Sequence, residues 1–95
     1  MLSDRYTYFL ASGSSINTTV KTQPGVFKGL IVGQCTSTGT CKIIDGSGSV
    51  GNVIALVNVP STSLSPTFLD YDVMLQSGLS VQFLSFAGVL TLIYK

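Results

Sequence analysis

The sequence predicts an all-β fold: an antiparallel β-sandwich, jelly-roll-like, of about eight short strands with an N-terminal extension. Three observations predict it. Stretches rich in Val, Ile, Thr, Tyr and Phe recur along the chain, separated by Ser, Thr and Gly, at the spacing of sandwiches and jelly rolls. The chain has no Glu and only five Lys and Arg, so the i,i+4 ion pairs that support helices can hardly be built. Two stretches, "FLDYDVML" and "GLSVQF", alternate with period two, as half-buried strands do.

Taken in order, the expected strands are Arg5–Leu10, Thr18–Lys21, Val26–Gln34, Cys41–Asp45, Asn52–Val59, Phe68–Leu75, Leu79–Leu84 and Val89–Tyr94. The first is short and aromatic. Behind it "ASGSSINTT" has the composition of a linker. The expected organisation is therefore an arm and linker over residues 1–17 and a sandwich over residues 18–95, one domain in all. "VPSTSLSPT", with Pro60 and Pro66, is a second irregular connection. In "FLDYDVML" the residues Leu69, Tyr71, Val73 and Leu75 share the core face, and Asp70 and Asp72 share the other. In "GLSVQF" the core residues are Leu79, Val81 and Phe83, with Gly78 at the turn before them. "VIALVNV" and "VLTLIY" are apolar on both faces, whereas a small sandwich offers each strand one core face. Their outer faces are expected at an interface.

The charged fraction is 9%, against about 25% in an average globular protein. The five cations are scattered, with no basic stripe to follow phosphates, so a nucleic-acid partner is not expected. The most apolar stretch, "LSFAGVLTLIY", is shorter than the roughly 20 residues of a spanning helix, and no membrane partner is expected. No secretory leader is visible in "MLSDRYTYFLASGSS". So low a charge suggests a surface covered by other protein.

Each chemical motif has a plain reading. "CTSTGTC" places Cys35 and Cys41 on either side of an expected five-residue hairpin loop, as facing residues of one ladder. Two buried or half-buried thiols and a cross-strand disulfide are both open. Two thiolates without a His cannot complete a zinc site, and a catalytic Cys has no base. "GSGSVG" fits G-x-G-x-x-G, but "NVIALVNV" behind it is a strand, where a dinucleotide site needs a helix. Asp70 and Asp72 are a solvated or interface-lining pair. Without His, Glu or Trp there is little to run acid–base chemistry, so no enzymatic activity, cofactor or metal is expected.

"PGVFKGLIVGQCTSTGTCKIIDG", "GNVIALVNV" and "FLDYDVMLQSGLSVQFLSFAGVLTLIYK" together resemble small virion proteins of tailed bacteriophages with a jelly-roll-like β-sandwich. These include capsid cement (decoration) proteins and fibre-type modules. The resemblance spans about Thr18–Lys95 and rests on turn and strand patterns. The two cysteines and the aromatic segment "RYTYFL" depart from it.

What the resemblance implies is a structural role in the virion. The protein would be a capsid cement protein binding neighbouring capsid subunits as a homo-oligomer, with a trimer favoured. The alternative is a head- or tail-fibre module that binds a receptor or carbohydrate. It would be found on the phage particle, and in the host cytoplasm during assembly. The expected interface residues are Tyr6, Tyr8, Phe9, Leu10, Leu84 and Phe86. The N-terminal strand is expected to reach a neighbour's sheet edge or to fold back on its own domain.

Overall fold

The computed structural model describes residues 6–14, 16–47, 50–60 and 67–95. Eight strands account for nearly all of these: β1 (Thr7–Ser14), β2 (Asn17–Lys21), β3 (Gly25–Ser37), β4 (Gly39–Ser47), β5 (Val50–Val59), β6 (Thr67–Leu75), β7 (Leu79–Leu84) and β8 (Ala87–Tyr94). No helix forms among the described residues. The strands make two antiparallel sheets, ordered β1-β8-β3-β6 and β2-β7-β4-β5. The pairs β1·β8, β2·β7, β3·β6 and β4·β5 are those of one long hairpin rolled up on itself. The fold is thus a jelly-roll β-sandwich.

Register places the side chains. On the inner face of the first sheet, Phe9, Leu92, Leu30 and Leu69 form one row, and Ala11, Leu90 and Val32 lie along the next. On the inner face of the second, Thr18, Val81, Ile43 and Ala55 form a row. Between the sheets Phe27, Leu30, Ile43, Leu79, Val81, Phe86, Leu90 and Leu92 are fully buried. Tyr71 stacks on Phe27 at 5.6 Å, and Phe83 meets Phe86 edge to face at 4.7 Å.

Of the seven expected core residues, Leu75, Leu79, Val81 and Phe83 are buried. Leu69 and Tyr71 pack against the core from its margin. Val73 is half-buried and outside the cluster. It follows Asp72, whose φ of 54° marks a bulge where β6 carries one more residue than β3.

Two expectations are corrected. The boundary between an arm (1–17) and a sandwich (18–95) runs through the sandwich itself. Within residues 1–17, Thr7–Ser14 is the edge strand β1, in continuous register with β8 from Thr7↔Tyr94 to Ser14↔Ala87. "ASGS", taken for linker, continues this strand because Ala11 fills the core and the Gly13↔Gly88 pair lets the ladder run on. The residues Met1–Arg5 lie outside the described ones. The second correction concerns Thr36–Thr40, which is no hairpin loop. β3 and β4 belong to different sheets, and the chain crosses between them at Thr38. Gly39 permits the crossing, since a Cβ there would lie 2.3 Å from the Phe86 backbone nitrogen.

Candidate functional surface

Period-two alternation gives every strand an outer face, and the two outer faces differ. Across the second sheet one outer row reads Leu56, Lys42, Gln82, Asn17, and Thr40 faces Asn58 in the next. Thr40 Oγ1 donates to Asn58 Oδ1 at 2.9 Å. Leu56, 60% exposed, is the apolar residue of these two rows; Val53 on β5 and Leu84 at the end of β7 are further exposed apolar residues of this sheet, at 47% and 40%.

Across the first sheet the rows are Tyr8, Ile93, Gly29, Asp70, then Leu10, Thr91, Ile31, Phe68, then Ser12, Val89, Gln34. Apolar groups therefore run from one edge of the sheet to the other. Tyr8 is 70% and Leu10 53% exposed. Phe68 folds its ring over Gly29, where a built Cβ would come within 2.8 Å of two ring carbons. Charge is held at the margin: Lys28 Nζ pairs with Asp70 at 3.5 Å, and the Lys28 and Lys95 ammonium groups lie 6.0 and 5.5 Å from the Tyr6 ring centroid. The surface is apolar, nearly neutral and aromatic at its edge.

The structure brings Tyr6, Tyr8 and Leu10 of the expected interface together here. Leu84 is 40% exposed but ends β7, in the other sheet. Phe9 and Phe86 lie away from this outer face. Phe9 is on the inward face of β1, packed against the core, and Phe86 is fully buried against Phe83. Sequence reasoning missed Ile31 and Phe68, whereas Val89 and Ile93 lie on the outer face of "VLTLIY", which was expected at an interface. Phe68 was hidden because it shares its strand face with Asp70 and Met74.

Cys35 and Cys41 are both free and buried, one on each sheet, with Cys35 beside Gly88 and Cys41 between Val57 and Phe83. They are not facing residues of one ladder, since β3 and β4 do not pair. Burial pushes the Cys41 thiol up to about 12, and the nearby Cys35 adds to this. Such a thiol is a core side chain and a poor nucleophile.

The "GSGSVG" segment is a hairpin end, paired as Asp45↔Asn52, Gly46↔Gly51 and Ser47↔Val50, with Gly48 and Ser49 outside the described residues. Asp45 has its own task. Its carboxylate accepts from the backbone N–H groups of Gln76 (2.9 Å), Ser77 (2.8 Å) and Gly78 (3.2 Å), tying the β6–β7 turn to β4. Behind that turn Ser80 Oγ donates to the Gly46 carbonyl at 2.8 Å. Among the described residues no three of His, Cys, Asp and Glu come together as a metal group. A shallow depression of about 310 Å³ lies where β1, β3 and β8 meet, lined by Ser12, Gly13, Gln34, Thr36 and Gly88 among others.

No family model, no curated protein and no solved structure matches the chain.

Proposed function

We propose that the chain is a non-enzymatic virion structural protein, a capsid cement or decoration protein that binds neighbouring capsid subunits and works as a homo-oligomer. The observation that carries this reading is the apolar run across the outer face of the first sheet, from Tyr8 and Leu10 across Ile93 and Ile31 to Phe68, with charge confined to the Lys28–Asp70 pair beside it. Apolar rows crossing a whole sheet are the mark of a docking surface. The virion assignment rests on the sequence resemblance. Jelly rolls are also used by lectins and cupins, so the fold alone is only an analogy. A cupin-like metal centre lacks its usual ligands in a chain without His or Glu.

The second reading is a fibre module that binds a receptor or carbohydrate. It draws on the depression between β1, β3 and β8, whose Ser, Thr and Gln groups suit hydroxyl-rich ligands. That lining has no aromatic ring on which a sugar could stack, and this favours the first reading.

The test is a variant carrying Tyr8→Ser and Phe68→Ser, both at exposed positions, added to particles that lack the protein. The docking reading expects a folded variant whose occupancy on particles falls at least about tenfold, with Leu56→Ser on the other sheet decorating normally. A double variant that decorates as well as the parent chain contradicts it.

A further inference from the structure

The sandwich has four sheet edges, β1, β6, β2 and β5, and three of them are blunted. β6 carries Asp70 and Asp72 and is bulged at Asp72. β2 has only five residues, ends in Lys21, and shifts register between Thr19 and Lys21. β5 is bulged opposite Ile43 and Ile44 and bent at Gly51, with φ +131°. Charges, shortness and bulges are the usual devices that keep an edge from pairing with another chain.

β1 has none of them. Its sequence "TYFLASGS" contains neither charge nor proline, and its ladder to β8 runs eight residues without a register shift. Its one irregular torsion, at Gly13 (φ +128°), lies near its end. Among the described residues nothing pairs with its outer edge.

We propose that β1 is a dimerisation edge, on which β1 of a second copy pairs antiparallel about a two-fold axis, joining two four-stranded sheets into one. The second copy is favoured over another chain by the strand's own chemistry. Two-fold pairing sets side chains against their own kind, so a charged residue near the axis would oppose it, and β1 has no charge. Facing residues of an antiparallel pair share a face, so the axis passes beside one residue. Centred on Leu10, the pairing sets Leu10 against its copy and Tyr8 over Ser12 of the second copy. It also joins the two apolar outer faces into one, because the row from Phe68 through Ile31 and Thr91 ends at Leu10. The unit so built is a dimer, in place of the trimer expected from the sequence. This inference goes beyond the virion reading, because it needs no particle and concerns the purified chain alone.

The experiment is sedimentation of the full chain from about 1 to 100 µM, alongside Leu10→Lys and Leu56→Lys, with circular dichroism to confirm the fold. The pairing expects a dimer for the parent chain and for Leu56→Lys, and a folded monomer for Leu10→Lys. To keep the result independent of how Leu10→Lys folds, Leu10→Cys is made in a chain carrying Cys35→Ala and Cys41→Ala. Oxidation with a small-molecule disulfide should link two copies through residue 10. Thr40→Cys in the same background, on the other sheet, should not link. A parent chain that stays monomeric across this range overturns the proposal. So does an oligomer that Leu10→Lys leaves intact, or Leu10→Cys chains that cross-link no faster than the Thr40→Cys control. Particle binding is read separately by Phe68→Ser alone, a substitution on β6, at the edge of the sheet away from β1.

Discussion

The ring of Phe68 lies over Gly29, on the outer face of the first sheet. A Cβ at Gly29 would meet two carbons of that ring at 2.8 Å and the Leu69 carbonyl oxygen at 2.3 Å. The ring thus covers the strand where no side chain of its own stands. Gly29→Ala should cost about 1–3 kcal/mol in chemical denaturation, since the backbone of β6 cannot yield as a side-chain tip could. A Gly29→Ala protein with unchanged stability would show that the two strands are further apart.

Core substitutions test the fold. Leu79 is fully buried at the start of β7, and Leu79→Ala should cost about 2–5 kcal/mol. Val81, fully buried in the row with Ile43 and Ala55, tolerates no charge. Val81→Asp should leave no cooperatively folded protein by calorimetry. A soluble Val81→Asp chain with the parent's melting transition would be incompatible with this sandwich.

Much of the fold was legible because β-strands announce themselves locally. All eight strands were expected near their observed places, and the alternation in "GLSVQF" assigned Leu79, Val81 and Phe83 correctly. What was not legible is where the chain changes sheet. A polar segment such as Thr36–Thr40 looks the same whether it turns back along one ladder or crosses to the facing sheet, and the difference is set by tertiary packing. Hence Cys35 and Cys41 were placed in one ladder. Phe86 was misassigned for a related reason. It stands alone between Ser85, with φ 63°, and Ala87, so no periodicity showed that it turns inward. Of the apolar outer face, Tyr6, Tyr8 and Leu10 could be read from their strand, but its extension to Ile31 and Phe68 depends on register between strands far apart in sequence.

The Asp45 carboxylate should give a distinct pH signature. The N–H of Gln76 foremost, with those of Ser77 and Gly78, holds its pKa below the ordinary carboxylate value, against a smaller opposing effect of burial. A depressed folded-state pKa contributes stability that is present above the unfolded value, about 3.9, and is lost as pH falls through the folded one. Asp45→Asn should therefore cost about 1–2 kcal/mol at neutral pH and flatten the loss of stability below about pH 4. Equal acid sensitivity in both proteins would remove Asp45 from that role.

Cys41 gives the opposite sign. Its thiol is raised from 9.0 to about 12 by burial, with Cys35 adding to the shift. The contribution is whole below the unfolded value and is lost as pH rises from about 9 towards 12. At pH 8 Cys41 in the folded chain should resist iodoacetamide, and should react once the chain is unfolded in denaturant. Cys41→Ala should be milder than Cys41→Ser, which buries a hydroxyl at a cost of about 1–3 kcal/mol. Rapid alkylation of native Cys41 would mean that the end of the sandwich opens.

The central claim, that this sandwich is a built-in part of a virion, is tested most directly by quantitative mass spectrometry. Particles purified from the source that encodes the chain are compared with the cleared host lysate. The account predicts that the chain is retained through particle purification, at a fixed ratio to the major capsid protein from one preparation to the next. A chain that stays in the lysate and is absent from purified particles would contradict it.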